Sequence, residues 1–77
     1  MNKRRRLRLQ TAIEVIENAK IELESIRDEE QECFDNLPES IQYGERGDEM
    51  QENIDDIDSE ISNLEDVISN LNDIVER

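Results

Sequence analysis

From position 50 onward the apolar residues of this chain recur at spacings of four and three: Met50, Ile54, Ile57, Ile61, Leu64, Ile68, Leu71 and Val75. No other feature restricts the fold as much. A mean period of 3.5 residues puts all of these side chains on one stripe of an α-helix and is incompatible with the two-residue period of a strand. The stripe alternates Ile54, Ile61, Ile68 and Val75 with Met50, Ile57, Leu64 and Leu71. β-Branched residues alternating with leucine form the packing pattern of coiled-coil helices. Val67 and Ile74 widen it to the breadth found in bundles. The pattern decides a question that composition leaves open, because 34% apolar residues with a net charge of −13 would otherwise suit a disordered chain.

A second seam runs through the first half: Leu9, Ala12, Ile16, Ala19, Leu23, Ile26, Glu30, Cys33 and Leu37, with Ile13 and Phe34 flanking it. Ala12 and Ala19 let a neighbouring helix come close, with larger side chains filling the gap from opposite. Glu30 is expected at a solvated edge or as a register-setting residue. Cys33 is expected to be a small core residue. Pro38 stops this helix, since the residue before a proline avoids the helical region. Gly44 and Gly47 are expected to supply positive φ in the link. Asp48 is expected to cap the second helix, with Gln51 at the capping-box position. These signals predict one all-α domain, a coiled-coil-like antiparallel two-helix hairpin. Helix one spans about 3–36, the loop 37–46 and helix two about 47–76.

Two helices bury little. Small scaffolds without disulfides or metals usually gain burial by association. The simplest expectation is a homo-oligomer in which two hairpins form a four-helix bundle. The residues expected to carry self-association are Ile16, Leu23, Ile26, Ile54, Ile57, Ile61, Leu64, Ile68 and Leu71. The rival is a single hairpin completed by another protein.

Charge is segregated along the chain. Lys3, Arg4, Arg5, Arg6 and Arg8 precede every acidic residue, whereas sixteen of the 22 acidic residues lie between positions 22 and 60 against Arg27 and Arg46. Folded as a hairpin, the chain carries a basic patch where its termini meet and an acidic pole at the loop. One expectation is local neutralisation, with the Arg run at one helix N-terminus balanced by Asp73 and Glu76 at the other's C-terminus. A second is an RNA or DNA contact through Lys3–Arg8, although no aromatic residue is interleaved for base stacking and the whole-chain charge opposes nucleic acid. At the acidic pole, carboxylates three and four apart on a helix recur about every 5–6 Å, close to the spacing of phosphates along a strand. Such a surface suits the basic groove of a nucleic-acid-binding protein. Candidate contacts are Glu29, Glu32, Asp35, Glu49, Glu52, Asp55, Asp56 and Asp58, with Phe34 and Tyr43 as aromatic anchors or as the cap of the bundle end.

The composition argues against most chemistry. Without His, and with one Cys, zinc sites and His-based catalysis are not expected. Glu14/Glu17 and Glu32/Asp35 have the spacing of magnesium-binding pairs in all-α pyrophosphohydrolases, but Glu29/Glu32, Glu49/Glu52 and Glu52/Asp55 repeat it, as chance requires when 22 of 77 residues are acidic. Asp56-Ile57-Asp58-Ser59-Glu60 is not a calcium loop, because Ile61 and Val67 stand where Gly and the closing Glu are needed. No catalytic residue, cofactor or metal ligand is therefore expected, and the chain reads as a non-enzyme. The longest apolar run is two residues, too short for a membrane span or a secretory signal.

The loop and its borders carry a resemblance. Asp28-Glu29-Glu30-Gln31-Glu32, Phe34-Asp35-Asn36-Leu37-Pro38-Glu39-Ser40, Glu45-Arg46-Gly47 and Met50 resemble small acidic proteins of tailed phages and prophages of Gram-positive bacteria. Those proteins also begin with a basic stretch and end in an acidic heptad helix. The resemblance implies a phage or prophage origin and a location in the bacterial host cytoplasm, and it transfers no catalytic residue. The function expected is that of a small accessory protein acting by protein–protein binding. In its most concrete form it inhibits a host or anti-phage defence protein through a nucleic-acid-mimicking surface. A structural coiled-coil role in assembly and a nucleic-acid-binding hairpin are the alternatives.

Overall fold

The computed structural model describes residues 1–77. Helix α1 spans Lys3–Asp35, α2 is a single turn, Glu39–Gln42, and α3 spans Glu45–Glu76. Asn2 caps α1, its Oδ1 accepting from the Arg5 N–H at 2.8 Å, and so satisfies one of the amides that a helix start leaves free. No Gly or Pro interrupts α1, which ends three residues before Pro38.

The link is more ordered than the expected loop. Pro38 opens α2, and α3 begins at Glu45, capped by Gly44 rather than by Asp48. Asp48 instead lies in the first turn with Glu45, where negative charge suits the helix dipole. Neither glycine adopts positive φ. Gly47 serves close approach: a Cβ there would lie 2.5 Å from the Gln42 carbonyl carbon and 2.8 Å from its Cα. Gln42 also donates from Nε2 to the Phe34 carbonyl at 2.9 Å and the Asp35 carbonyl at 3.4 Å, at the end of α1 where carbonyls lack helical partners. The turn is thus held by α1 on one side and by α3 on the other.

Helix α1 packs along α3 in the opposite direction. Arg27 meets Asp58 and Lys20 meets Glu65, one heptad apart on both helices. The buried apolar residues are Ile13, Met50, Ile54 and Ile61. On α3 the face against α1 is the stripe read from the sequence. On α1 it differs. Ile13 is buried, Leu9, Ile16, Lys20, Leu23, Arg27, Glu30 and Phe34 are half-buried, and Leu37 just past the helix end is half-buried too. Ala12, Ala19, Ile26 and Cys33, expected on the seam, are exposed. The core position assigned to Cys33 is thereby corrected. Lys20 and Arg27 take this face because long cationic side chains lay apolar stems on a seam while their heads reach outward. The result is a rod 58 Å long and 15 by 12 Å across. No helix in it is long and apolar enough to cross a membrane.

Candidate functional site

The rod has two charged ends. At one, Lys3, Arg4, Arg5, Arg6 and Arg8 occupy the start of α1 with no acidic residue in its first turn. Every ion pair of the chain belongs to Lys20 or Arg27, so none of these five cations is paired. The helices run antiparallel, so Asp73 and Glu76 lie at this same end, as expected, but without direct ion pairs to the arm. Those two side chains belong to the last turns of α3 and reach no cation within ion-pair distance. The Arg6 Nε is covered and has no hydrogen-bond acceptor.

At the other end α1 contributes Glu29, Glu32 and Asp35 from its last turns, and α3 contributes Glu49, Glu52, Asp55 and Asp56 from its first ones. All seven are exposed and free of ion pairs. The link between the helices brings them to one end. Asp35 and Asp55 accept hydrogen bonds from Gln31 and Gln51, each four residues back on its own helix, at 2.9 and 3.0 Å. These bonds fix two carboxylates and leave their charge in place. Glu39, Glu45 and Asp48, not among the residues picked from the sequence, are also exposed here. The early start of α3 brings Glu45 and Asp48 into its first turn, and their signal was simply their place in an acidic link. Asp58 differs from the rest. Arg27 donates to it at 2.7 Å, and this hydrogen bond, with a second that Arg27 donates to Asp28 at 3.2 Å, raises the Arg27 pKa above its ordinary value. Of the two aromatic residues, Phe34 is half-buried against α3 and Tyr43 is 80% exposed. Tyr43 is the one presented outward.

The long sides of the rod also differ. One carries the Lys20 and Arg27 ion pairs and an open groove of about 680 Å³, lined mainly by polar residues such as Glu17, Glu24, Glu65 and Asn72. The register of those ion pairs places Ala12, Ala19 and Ile26 of α1, with Val67 and Ile74 of α3, along the opposite side. Ile26 and Val67 remain 40% and 41% exposed there. Among the residues expected to carry self-association, Ile54 and Ile61 are buried between α1 and α3. Ile16, Leu23, Ile57, Leu64, Ile68 and Leu71 are half-buried, and Ile26 is exposed.

No group of three or more Cys, Asp or Glu side chains is arranged to hold a metal ion. Glu14/Glu17 and Glu32/Asp35 lie on the same helix about five turns apart, roughly 27 Å at 1.5 Å per residue, and cannot converge on one cation. Comparisons with protein-family models, curated proteins and solved structures find no match to this chain.

Proposed function

We propose that this chain acts by binding a protein rather than by catalysis, and that its acidic loop end is the binding surface. The observation that carries the reading is the set of seven exposed, unpaired carboxylates that the link gathers from α1 and α3 at one end of the rod. Carboxylates three and four residues apart on a helix present negative charge at nearly the interval of nucleic-acid phosphates. A rod this narrow enters a groove shaped for nucleic acid. The occupant it fits is therefore a basic nucleic-acid-binding protein. Tyr43 adds an apolar contact of the kind that dominates binding hot spots. The concrete form of the proposal is inhibition of a host or defence protein by occupation of its basic groove, in keeping with the resemblance to small phage proteins.

The test is a panel of basic nucleases, repressors and histone-like proteins offered to the immobilised full chain, with duplex DNA as competitor. The expected result is binding that DNA displaces and that falls steeply between low and several hundred millimolar salt, since exposed charges are screened within about 8–10 Å at physiological salt. Glu49→Lys with Glu52→Lys removes it. Binding that survives high salt, or that the double variant retains in full, overturns the reading.

A further inference from the structure

We infer that the open apolar side of the rod is covered by a second copy of this chain running in the opposite direction, so that the basic arm of each copy lies on the acidic end of the other. The starting point is α1. It carries two overlapping seams, each spaced three and four. One, through Ile13, Lys20, Arg27 and Phe34, meets α3. The other, through Ala12, Ala19, Ile26 and Cys33, meets nothing within the chain. The two share Leu9, Ile16, Leu23 and Glu30, which are only half-buried because α3 covers them from one side. Helix α3 repeats the situation, with Val67 exposed and Leu64 and Leu71 half-covered. A helix with two adjoining seams has the surface of a bundle member that touches two neighbours.

Charge selects the occupant and its direction. Two identical rods can stack on this side about a two-fold axis in only two ways. An axis along the rod brings like ends together, setting basic arm beside basic arm and acidic pole beside acidic pole. An axis across the rod sets α1 on α1 and α3 on α3, antiparallel, and puts each arm on the opposite pole. Lys3, Arg4, Arg5, Arg6 and Arg8 have no ion pair within the chain, and the covered Nε of Arg6 has no acceptor. Opposite poles attract and like poles repel, so the second arrangement wins. Ala19, the smallest residue near the middle of α1, sets the closest approach. With the axis there, Ala12 of one copy faces Ile26 of the other, small against large. Arg5 and Arg8 then reach the neighbour's Glu29 and Glu30. The Lys20–Glu65 register places Val67 level with Ala19, so Val67 also lies near the axis. Sixteen acidic residues between positions 22 and 60 outnumber the five arriving cations, so each end stays acidic and the assembly presents two such ends. The apolar contact through Ala19 and Val67 lies away from the proposed partner site, the arriving arm touches that site only at Glu29, and the readouts need no partner.

The experiment uses the full chain. Sedimentation equilibrium is expected to give twice the 9.1 kDa chain mass. In a Cys33→Ser background, Val67→Cys is expected to cross-link to its own mate under mild oxidation. The stacking with like ends together would set Val67 against Ala19 and leave that variant uncross-linked. Ala19→Arg is expected to give a helical single chain, whereas Ser25→Arg, on the outer face of α1, keeps the doubled mass. Reversing Arg5 and Arg8 to Glu is expected to weaken association by roughly tenfold or more at low salt. A single-chain mass at high protein concentration, or a doubled mass without cross-linking at Val67→Cys, overturns the inference.

Discussion

Gly47→Ala sets helix propensity against packing, and the structure says which wins. In an ordinary exposed helix the change stabilises by about 1 kcal/mol, because alanine is the best helix former and glycine among the poorest. At position 47 the added methyl would overlap the backbone of Gln42, whose carbonyl carbon stands 2.5 Å from the Cβ position. That neighbour is main chain and cannot swing aside, so α2 must move off α3. Overpacking of this kind costs about 1–3 kcal/mol. Moving α2 also loosens the Gln42 hydrogen bond to the Phe34 carbonyl, worth about 1 kcal/mol. The net expectation is destabilisation by about 2 kcal/mol, or roughly 10 °C in Tm for a chain of this size. The assay is thermal unfolding followed by far-ultraviolet circular dichroism at one fixed protein concentration, since any association makes Tm concentration-dependent. Gly44→Ala is the control. Its Cβ would sit 3.5 Å from the Ile41 and Ser40 carbonyl oxygens, an ordinary contact. Its change should stay within about 0.5 kcal/mol, with the lost unfolded-chain entropy offsetting a poorer N-cap. A higher Tm for Gly47→Ala, or equal effects at both glycines, would refute the packing argument.

Ile61 is 4% exposed at the α1–α3 contact, so Ile61→Ala should lower stability by about 2–3 kcal/mol in urea titrations, near the low end for core truncation because a narrow rod relaxes easily. Asn2→Ala removes the cap acceptor for Arg5 and should cost about 1 kcal/mol in the same titration. Arg27 has a raised pKa, so the stability its pair contributes is fully present below its unfolded value and fades only as pH rises through the folded one. The loss caused by Arg27→Gln should therefore be equal at pH 7 and pH 10, and a smaller loss at pH 10 would contradict the assignment. Cys33 is exposed and should label with maleimide in the native chain at high dilution as completely as in urea. Protection under those conditions would place the thiol elsewhere.

The legible part of the fold is α3. Every residue of its stripe from Met50 to Val75 lies on the face toward α1, because an uninterrupted period of 3.5, flanked only by Val67 and Ile74, leaves one way to turn the helix. In α1 the apolar spacing marks the right helix and half of the right face. Periodicity reports how much apolar surface a helix carries, and it does not say which neighbour covers which part. Ala12, Ala19, Ile26 and Cys33 fit the spacing as well as Ile13 and Phe34 do. The positions that break the tie, Lys20 and Arg27, look polar to a pattern search although their stems pack. The acidic residues of the candidate site were legible as composition and as position. Their lack of ion pairs was not, because that depends on which cations the register brings near.

The length of the rod explains why its charge cannot be balanced from within. Screening confines the field of an exposed charge to about 8 Å at physiological salt, whereas the rod extends 58 Å. The basic arm and the acidic end are therefore electrically independent within one chain. Each can be neutralised only by charges close beside it, and neither end forms an ion pair: Asp73 and Glu76 make none with the arm, and Arg46 makes none at the loop end. Ion-pairing partners for these groups must come from counterions or from another molecule. The two leave different traces on the same surface. Counterions alone give a chain whose mass does not change between low and high salt. A molecular neighbour at the arm gives an association that weakens as salt rises and then levels off, because the apolar side through Ala19 and Val67 keeps contributing once the charges are screened. A curve that falls without levelling would mean that charge acts alone and that the apolar side stays open.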